Sequence, residues 1–213
     1  MATKTSLVNV ALGYAMCDRV NAVDTDTSTE AKAARDVYDT KRQSLLRGYL
    51  WSFAKKRDVL STVATVPDFG VDFAYALPAD WLRTISVHPS DSDFSLCRYK
   101  HETILVSGTP TKVIVTNIST AIYLRYVWDV ETVALFDPMF QEAFAWDLAT
   151  FFALKIKQSS QHADFCAGQM RRAISIAKST NSIEDWPDPF PAGSWVTERD
   201  GWSGDSWGGD CWA

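Results

Sequence analysis

The sequence predicts an α+β fold that is mainly α: a helical bundle around one long helix, with a small antiparallel β-sheet insertion and an extended C-terminal arm. Apolar residues recur at helical spacing in residues 24–60 and again in residues 137–179. The segment between them, residues 61–130, shows the alternation and the turn residues that are typical of strands. Beyond residue 182, tryptophan, glycine and proline replace both patterns.

The long helix is the central element of this prediction and extends over residues 24–60. Thr27 and Glu30 have the spacing of a capping box at its start. About 30 helical residues would measure ~45 Å, close to the diameter of a compact domain of this size. Gly48, in its middle, predicts the close approach of a neighbouring backbone. Its apolar stripe consists of Ala31, Ala34, Tyr38, Leu45, Tyr49 and Phe53.

Three further helices complete the predicted bundle. The first covers residues 6–20, with Ser6 as its cap. Another begins at Asp137, a capping residue that is followed by proline in the first turn. Asp147 interrupts the apolar side of that helix, so we expect it to pair with an arginine or lysine from a neighbouring helix. The last helix covers residues 161–179, and its predicted apolar set is Phe165, Met170, Ala173, Ile174 and Ala177.

The predicted sheet lies between these helices in the sequence. A short strand ends at Val87, and three more follow over residues 98–106, 112–116 and 121–130. The segments 107–110 and 117–120 supply the turns between them. On the last strand, one face carries Ile122, Leu124, Tyr126 and Trp128. The resulting division is a helical bundle domain (1–60 and 131–182), a β-rich insertion (61–130) and a C-terminal arm (183–213).

Composition and charge limit the possible functions. The chain has 213 residues, of which 46% are hydrophobic and 22% charged, as in a globular domain. No apolar run approaches the ~20 residues of a membrane span, so we expect no membrane partner. Of the net charge of −5, a charge of −4 falls on residues 186–213, which contain five acids and one base. Neither part has the basic character that sequence-specific nucleic-acid binding requires.

No motif in the sequence predicts a catalytic residue or a cofactor. There is no phosphate-binding glycine loop, and no serine lies in a predicted strand-to-helix turn of the kind that the G-x-S-x-G nucleophile motif occupies. Four carboxylates lie near one another in the sequence, namely Glu131, Asp137, Glu142 and Asp147. A hydrolase would need two of them converging in a cleft. Helix caps, solvated faces and one ion pair at Asp147 are the favoured interpretation, and they predict no enzyme activity.

The possible metal ligands also have structural interpretations. Asp24, Asp26 and Ser28 imitate the start of a calcium loop, but the required glycine and final glutamate are missing, so helix capping explains them better. His162 and Cys166 lie one helical turn apart without a second pair of ligands. The four cysteines are scattered, and we predict buried or free thiols, although two bridges are formally open. We therefore expect no metal.

The C-terminal arm contains five of the nine tryptophans. The prolines of residues 186–191 favour extended backbone, and a five-residue tryptophan repeat with many glycines follows. Since tryptophan is poor material for a solvated linker, we interpret the segment as an arm that is flexible when free and becomes ordered when it binds a partner. The alternative is that the tryptophans fold back onto their own domain. The predicted partner-binding residues are Trp186, Phe190, Trp195, Trp202, Trp207 and Trp212.

Four segments resemble the head-to-tail adaptor family of short-tailed bacteriophages, also called tail tubular protein A. They are the helix that begins at Leu7, the segment Trp51-Ser52-Phe53-Ala54-Lys55-Lys56-Arg57, the segment Tyr75-x-Leu77-Pro78-x-Asp80-x-Leu82-Arg83, and the helix that opens Asp137-Pro138-x-Phe140. Together they cover roughly residues 5–180. The segment beyond residue 182 has no counterpart in this resemblance.

The resemblance implies a structural virion protein at the head–tail junction that is assembled in the host cytoplasm. Members of the family form a ring, with twelve copies expected, between the portal protein and the tail nozzle protein. Double-stranded DNA passes through the ring without specific binding, and an acidic chain would not retain the phosphates. Three other functions remain open: a virion-associated cell-wall hydrolase, a connector or stopper protein of a long-tailed phage, and a carbohydrate-binding module.

Overall fold

A computed structural model describes residues 3–65, 70–90, 97–106 and 108–184 of the chain. Within these ranges the fold is a mixed α/β structure with four α-helices and two three-stranded antiparallel sheets. The predicted bundle around one long helix is therefore wrong. The elements are α1 (Lys4–Tyr14), α2 (Thr29–Arg47), β1 (Lys55–Leu60), β2 (Phe73–Ala76), β3 (Trp81–His88), β4 (Lys100–Val106), β5 (Thr109–Thr116), β6 (Ile122–Trp128), α3 (Pro138–Lys155) and α4 (Ser160–Glu184), with short 3₁₀ turns at Ser52–Ala54 and Val133–Leu135.

The chain divides into two compact units. The helical unit comprises residues 1–55 and 127–185, and it contains all four helices. The described part of the second unit lies within residues 56–126 and contains mainly the two sheets. We call that described part the β unit.

The predicted long helix ends at Arg47, and the segment that was expected to continue it forms a 3₁₀ turn and strand β1. Trp51 turns back over the end of α2, and its indole Nε1 donates to the Leu45 carbonyl at 3.1 Å. Asn181 of α4 makes two hydrogen bonds to the backbone of the segment that follows α2. Its Oδ1 accepts from the Ser52 N–H, and its Nδ2 donates to the Leu50 carbonyl. These bonds replace the helical ones that residues 49–53 would otherwise make. The expectation for Gly48 is also wrong, since the atoms nearest to an added Cβ are carbonyls of the preceding helical turn.

The cap of α2 is Ser28 rather than the predicted Thr27. The Ser28 hydroxyl accepts from the Ala31 N–H, and the Ser28 N–H donates to Asp26 at 2.9 Å. Replacing Ser28 with alanine should lower the free energy of unfolding by about 1 kcal/mol, because the cap bond is lost. Thr27→Ala is the matched control and should change it by less than ~0.3 kcal/mol. Urea denaturation of both variants measures the difference, and equal losses would contradict the assignment of the cap.

Helix α1 begins earlier and ends earlier than predicted. Its cap is Thr3, and Ser6, the predicted cap, is instead the third helical residue of a reciprocal capping box. The helix ends at Tyr14, after which Met16 has a positive φ of 57°. The Asn9 side chain holds the following loop, since it bonds both the N–H and the carbonyl of Val20 at 2.9 Å.

The core of the helical unit is aromatic and centres on α3. Phe140 is fully buried, and its ring lies 5.0 Å from the rings of Trp51, Phe53 and Phe136. Helix α3 begins as predicted, with Asp137 as cap and proline in the first turn, and it ends at Lys155, before the predicted end at Ser159 or Ser160. The expected partner of Asp147 is also confirmed: Lys41 of α2 lies 2.8 Å from its Oδ1.

The β unit contains two sheets where one was predicted. One sheet has the strand order β1-β6-β3 and the other β2-β5-β4. The three strands predicted around the turns 107–110 and 117–120 are present as β4, β5 and β6. Gly108, in the first of these turns, has a positive φ of 83°, a conformation that favours glycine. Two strands account for the difference. Strand β2 pairs with β5, with Phe73 opposite Thr116. Strand β1, which pairs with β6 in the other sheet, consists of residues that were assigned to the long helix.

Candidate functional site

The predicted partner-binding residues of the arm lie outside the described part of the chain. They are Trp186, Phe190, Trp195, Trp202, Trp207 and Trp212. The predicted arm began at residue 183, and residues 183 and 184 form the last turn of α4 instead.

The four carboxylates considered for catalysis do not form a matched pair. Asp147 is buried against Lys41, and Asp137 accepts from the Met139 and Phe140 N–H groups as the cap of α3. Glu131 and Glu142 are exposed. Asp137 and Asp147 therefore have the structural roles predicted for them. A surface depression of about 260 Å³ in the β unit is lined by Arg57, His88, Tyr123 and Arg125 among others, with Asp58 as its one carboxylate.

His162 and Cys166 both contact the end of α1. The His162 Nε2 lies 3.0 Å from the Tyr14 carbonyl, and the Cys166 thiol donates to the same oxygen at 3.9 Å. Burial raises the pKa of the Cys166 thiol, which favours the neutral form. Within the described ranges, no three histidine, cysteine, aspartate or glutamate side chains are grouped to hold a metal ion.

Helix α4 has small side chains inside and large apolar side chains outside. Its buried residues are Ala163, Cys166, Ala177 and Asn181. Three of its large apolar residues are more than half exposed, namely Phe165 at 55%, Ile176 at 57% and Ile183 at 83%, whereas Met170 and Ile174 are partly buried. Isolated exposed apolar residues are ordinary, but an aligned set marks an interaction surface.

These exposed residues are aligned along the helix. Phe165, Ile176 and Ile183 are separated by close to whole numbers of turns at ~3.6 residues per turn, so they share one side of α4. Arg172 lies on the same side, and all four face away from the buried residues. We name this set (Phe165, Arg172, Ile176 and Ile183) the α4 outer stripe. It is about 27 Å long at ~1.5 Å per residue.

An aromatic cluster adjoins the stripe at its N-terminal end. The Tyr14 and Trp146 rings stack at 3.9 Å, and Phe165 meets Trp146 edge to face at 6.3 Å. The His162 ring also stacks on Phe165, with the ring centroids 6.1 Å apart. Burial, and secondarily the Glu142 charge, raise the pKa of the Tyr14 phenol, so its hydroxyl stays neutral at pH 7. Clusters of tryptophan and tyrosine around an exposed aromatic ring are typical of the centres of protein–protein interfaces.

The sequence prediction missed this surface. It placed Phe165 in the inner apolar set of the last helix, whereas Phe165 is exposed. Ile176 and Ile183 were not included in that apolar set. A signal was present, because positions 165, 176 and 183 repeat at intervals that return to one side of a helix.

None of the helices in the described ranges combines the length and the hydropathy needed to cross a bilayer. In comparisons with known proteins, the sequence matches no protein-family model and no curated protein.

Proposed function

We propose that this protein is a ring-forming head-to-tail adaptor of a bacteriophage virion, which joins the portal to the tail nozzle around the DNA channel. The family is proposed from the four resembling segments. The structural observation that supports an assembly role is the α4 outer stripe, with three large apolar residues on the outward side of the helix.

The stripe favours assembly because exposure of large apolar side chains is unfavourable in an isolated subunit. Phe165 and Ile176 are each a little over half exposed, so burying the remainder of either side chain contributes about 1–1.5 kcal/mol. A stripe on one element that meets a different surface of the next copy makes a head-to-tail contact. Repetition of such a contact closes a ring when the rotation between copies allows it.

The resembling segments have structural roles in this fold, which is consistent with a shared architecture. Lys56, which is in β1 and belongs to the segment that begins at Trp51, lies 2.8 Å from Asp80 of the Tyr-x-Leu-Pro-x-Asp segment. Asp80 also accepts from the Tyr126 hydroxyl at 3.0 Å. Burial and then this hydrogen bond raise the pKa of Tyr126 to about 12, so the phenol remains a donor at neutral pH. The two segments thus meet in the β unit and fix β6 beside them.

The charge of the chain agrees with a DNA channel through which the duplex must slide. The protein carries a net charge of −5, so it lacks the excess of lysine and arginine that would neutralise many phosphates and retain the DNA. The proposal therefore includes transient, non-specific passage of double-stranded DNA, and it includes no stable DNA complex, no cofactor and no catalytic residue.

Substitutions on the stripe test this proposal. The double variant Phe165→Ser with Ile176→Ser should weaken association of the protein with itself and with portal rings by at least about tenfold, since two interface anchors are lost. Its free energy of unfolding should change by less than ~1 kcal/mol, because both residues are exposed in the subunit. Sedimentation velocity and negative-stain images of mixtures with portal rings measure association, and urea denaturation measures stability.

The matched control is Leu135→Ser with Leu154→Ser. These two leucines are exposed to a similar extent, 52% and 53%, and lie off the stripe. The control should associate like the unaltered protein. If both double variants associate equally well, the stripe is not the interface.

A further inference from the structure

We infer that the surface depression of the β unit binds a phosphate group. Five of the residues that line it carry the argument: Arg57, His88, Ser90, Tyr123 and Arg125. We call this set the anion site. The inference goes beyond the proposed function and does not rest on it, because a single subunit contains the whole set.

The anion site lies on one face of the sheet with the order β1-β6-β3. Tyr123 and Arg125 are alternate residues of β6, the central strand, so their side chains share a face. Arg57 comes from β1 on one side of β6, and His88 is the last residue of β3 on the other side. All four line the same depression, so three strands bring two guanidinium groups, a phenol and an imidazole together.

The anion site is rich in hydrogen-bond donors. The hydroxyl groups of Tyr123 and Ser90 can each donate to an oxygen. A guanidinium has five N–H donors, so Arg57 and Arg125 can bind an oxyanion and also keep other hydrogen bonds. The planar fork of an arginine matches two oxygens of a phosphate group, and such charge-assisted bonds are stronger than neutral ones. The donors of the depression therefore match an oxyanion.

The shape of the depression favours phosphate over a carboxylate. His88 is only 3% exposed, and its Nε2 lies 2.8 Å from the Ser86 hydroxyl, so its ring is held in place. The volume of about 260 Å³ is just below the ~300–1,000 Å³ that is typical of sites for larger ligands. A phosphate monoester has three strong acceptor oxygens and a carboxylate has two. Donors from three strands can therefore contact more oxygens of a phosphate.

The local charge also favours an anion. The whole chain has a net charge of −5, but the described lining of the depression contains two arginines and a single carboxylate, Asp58. Asp58 is exposed, and its Oδ1 accepts from the Val59 N–H at 2.8 Å. Arg125 is partly buried, so its charge is less screened by solvent than that of Asp58. The balance in the depression is therefore positive.

Titration calorimetry of the full-length protein at constant ionic strength tests the inference. Inorganic phosphate is the probe, and acetate represents a carboxylate. Phosphate should bind saturably, and Arg57→Gln with Arg125→Gln should weaken its binding at least about tenfold, because both charged donors are lost. Asp58→Asn should strengthen it about threefold, because a repulsive charge is removed. A gain of affinity cannot result from misfolding.

Arg83→Gln with Arg98→Gln is the matched control. Both arginines are exposed and belong to the β unit, and they lie outside the lining of the depression. This pair removes the same charge and should leave the phosphate affinity within about twofold. Equal losses from the two pairs would overturn the inference, as would the absence of saturable phosphate binding or acetate binding as tight as that of phosphate.

A short labelled DNA duplex without terminal phosphates distinguishes two sources of the phosphate group. If the source is the DNA backbone, fluorescence anisotropy should show at least about fivefold weaker duplex binding for Arg57→Gln with Arg125→Gln than for the control pair. Equal duplex binding by the two pairs, with phosphate binding lost only in the first, assigns the site to a small phosphorylated molecule. Both results support the anion site. Neither assay contains portal or requires a ring, so failure here is distinguishable from failure of the proposed function.

Discussion

Replacing Phe140 with alanine is expected to lower the free energy of unfolding of the helical unit by about 4 kcal/mol. Phe140 is fully buried, and the rings of Trp51, Phe53 and Phe136 each lie 5.0 Å from it. Because these rings come from the turn before α3 and from the segment after α2, their packing cannot easily close the cavity that the substitution leaves in α3. Near-ultraviolet circular dichroism during urea denaturation reports this aromatic environment.

Met139→Ala is the matched control for this prediction. Met139 is the adjacent residue on α3 and is 40% exposed. Its loss should cost about 0.5 kcal/mol or less. If the two substitutions had similar effects, the aromatic cluster would not be the core of the helical unit.

Asp129→Asn should lower the free energy of unfolding by about 3 kcal/mol. The Arg42 side chain is only 5% exposed, and its guanidinium lies 3.0 Å from the Asp129 carboxylate. Gln43 donates to the same carboxylate oxygen at 2.8 Å. Asparagine keeps the shape but removes the charge, so it leaves a buried guanidinium without its principal counter-ion. Urea denaturation measures the loss.

Asp39→Asn is the control on the same guanidinium. Asp39 lies 3.4 Å from Arg42, but its side chain is 64% exposed, so solvent screens the pair. We expect a change below ~0.5 kcal/mol. A loss as large as that of Asp129→Asn would show that burial does not govern this pair of interactions.

The parts of the fold that could be predicted from sequence are those with local causes. Helix α3 has a capping aspartate and a proline in the first turn, and its predicted start was correct. The partner of Asp147 could be predicted as a type of residue, because a buried carboxylate needs a cation. That the cation is Lys41, more than a hundred residues away in sequence, could not.

The end of α2 shows where sequence reasoning failed. The apolar period continues through Tyr49 and Phe53, so the local pattern favours a longer helix. Tertiary contacts decide otherwise, because Asn181 binds the backbone on both sides of Trp51. Phe53, which was expected on the long helix, instead lies in a 3₁₀ turn and packs against Phe140 of the core. The missing turns of helix became strand β1, which adds an edge to a second sheet.

The candidate site was missed for a related reason. Periodicity assigns apolar residues to a face, but it does not say which of two apolar faces is buried by the same chain. In α4 the face with alanine and cysteine packs inside, and the face with Phe165, Ile176 and Ile183 remains exposed. Small residues allow close helix packing, so the larger side chains are available to another molecule.

Electron microscopy of the full-length protein mixed with portal rings tests the assembly role most directly. We expect the unaltered protein to add a closed ring of copies to one face of the portal. The Phe165→Ser, Ile176→Ser variant should not add this ring. Portal rings that remain bare while the unaltered protein sediments as a single subunit would contradict it.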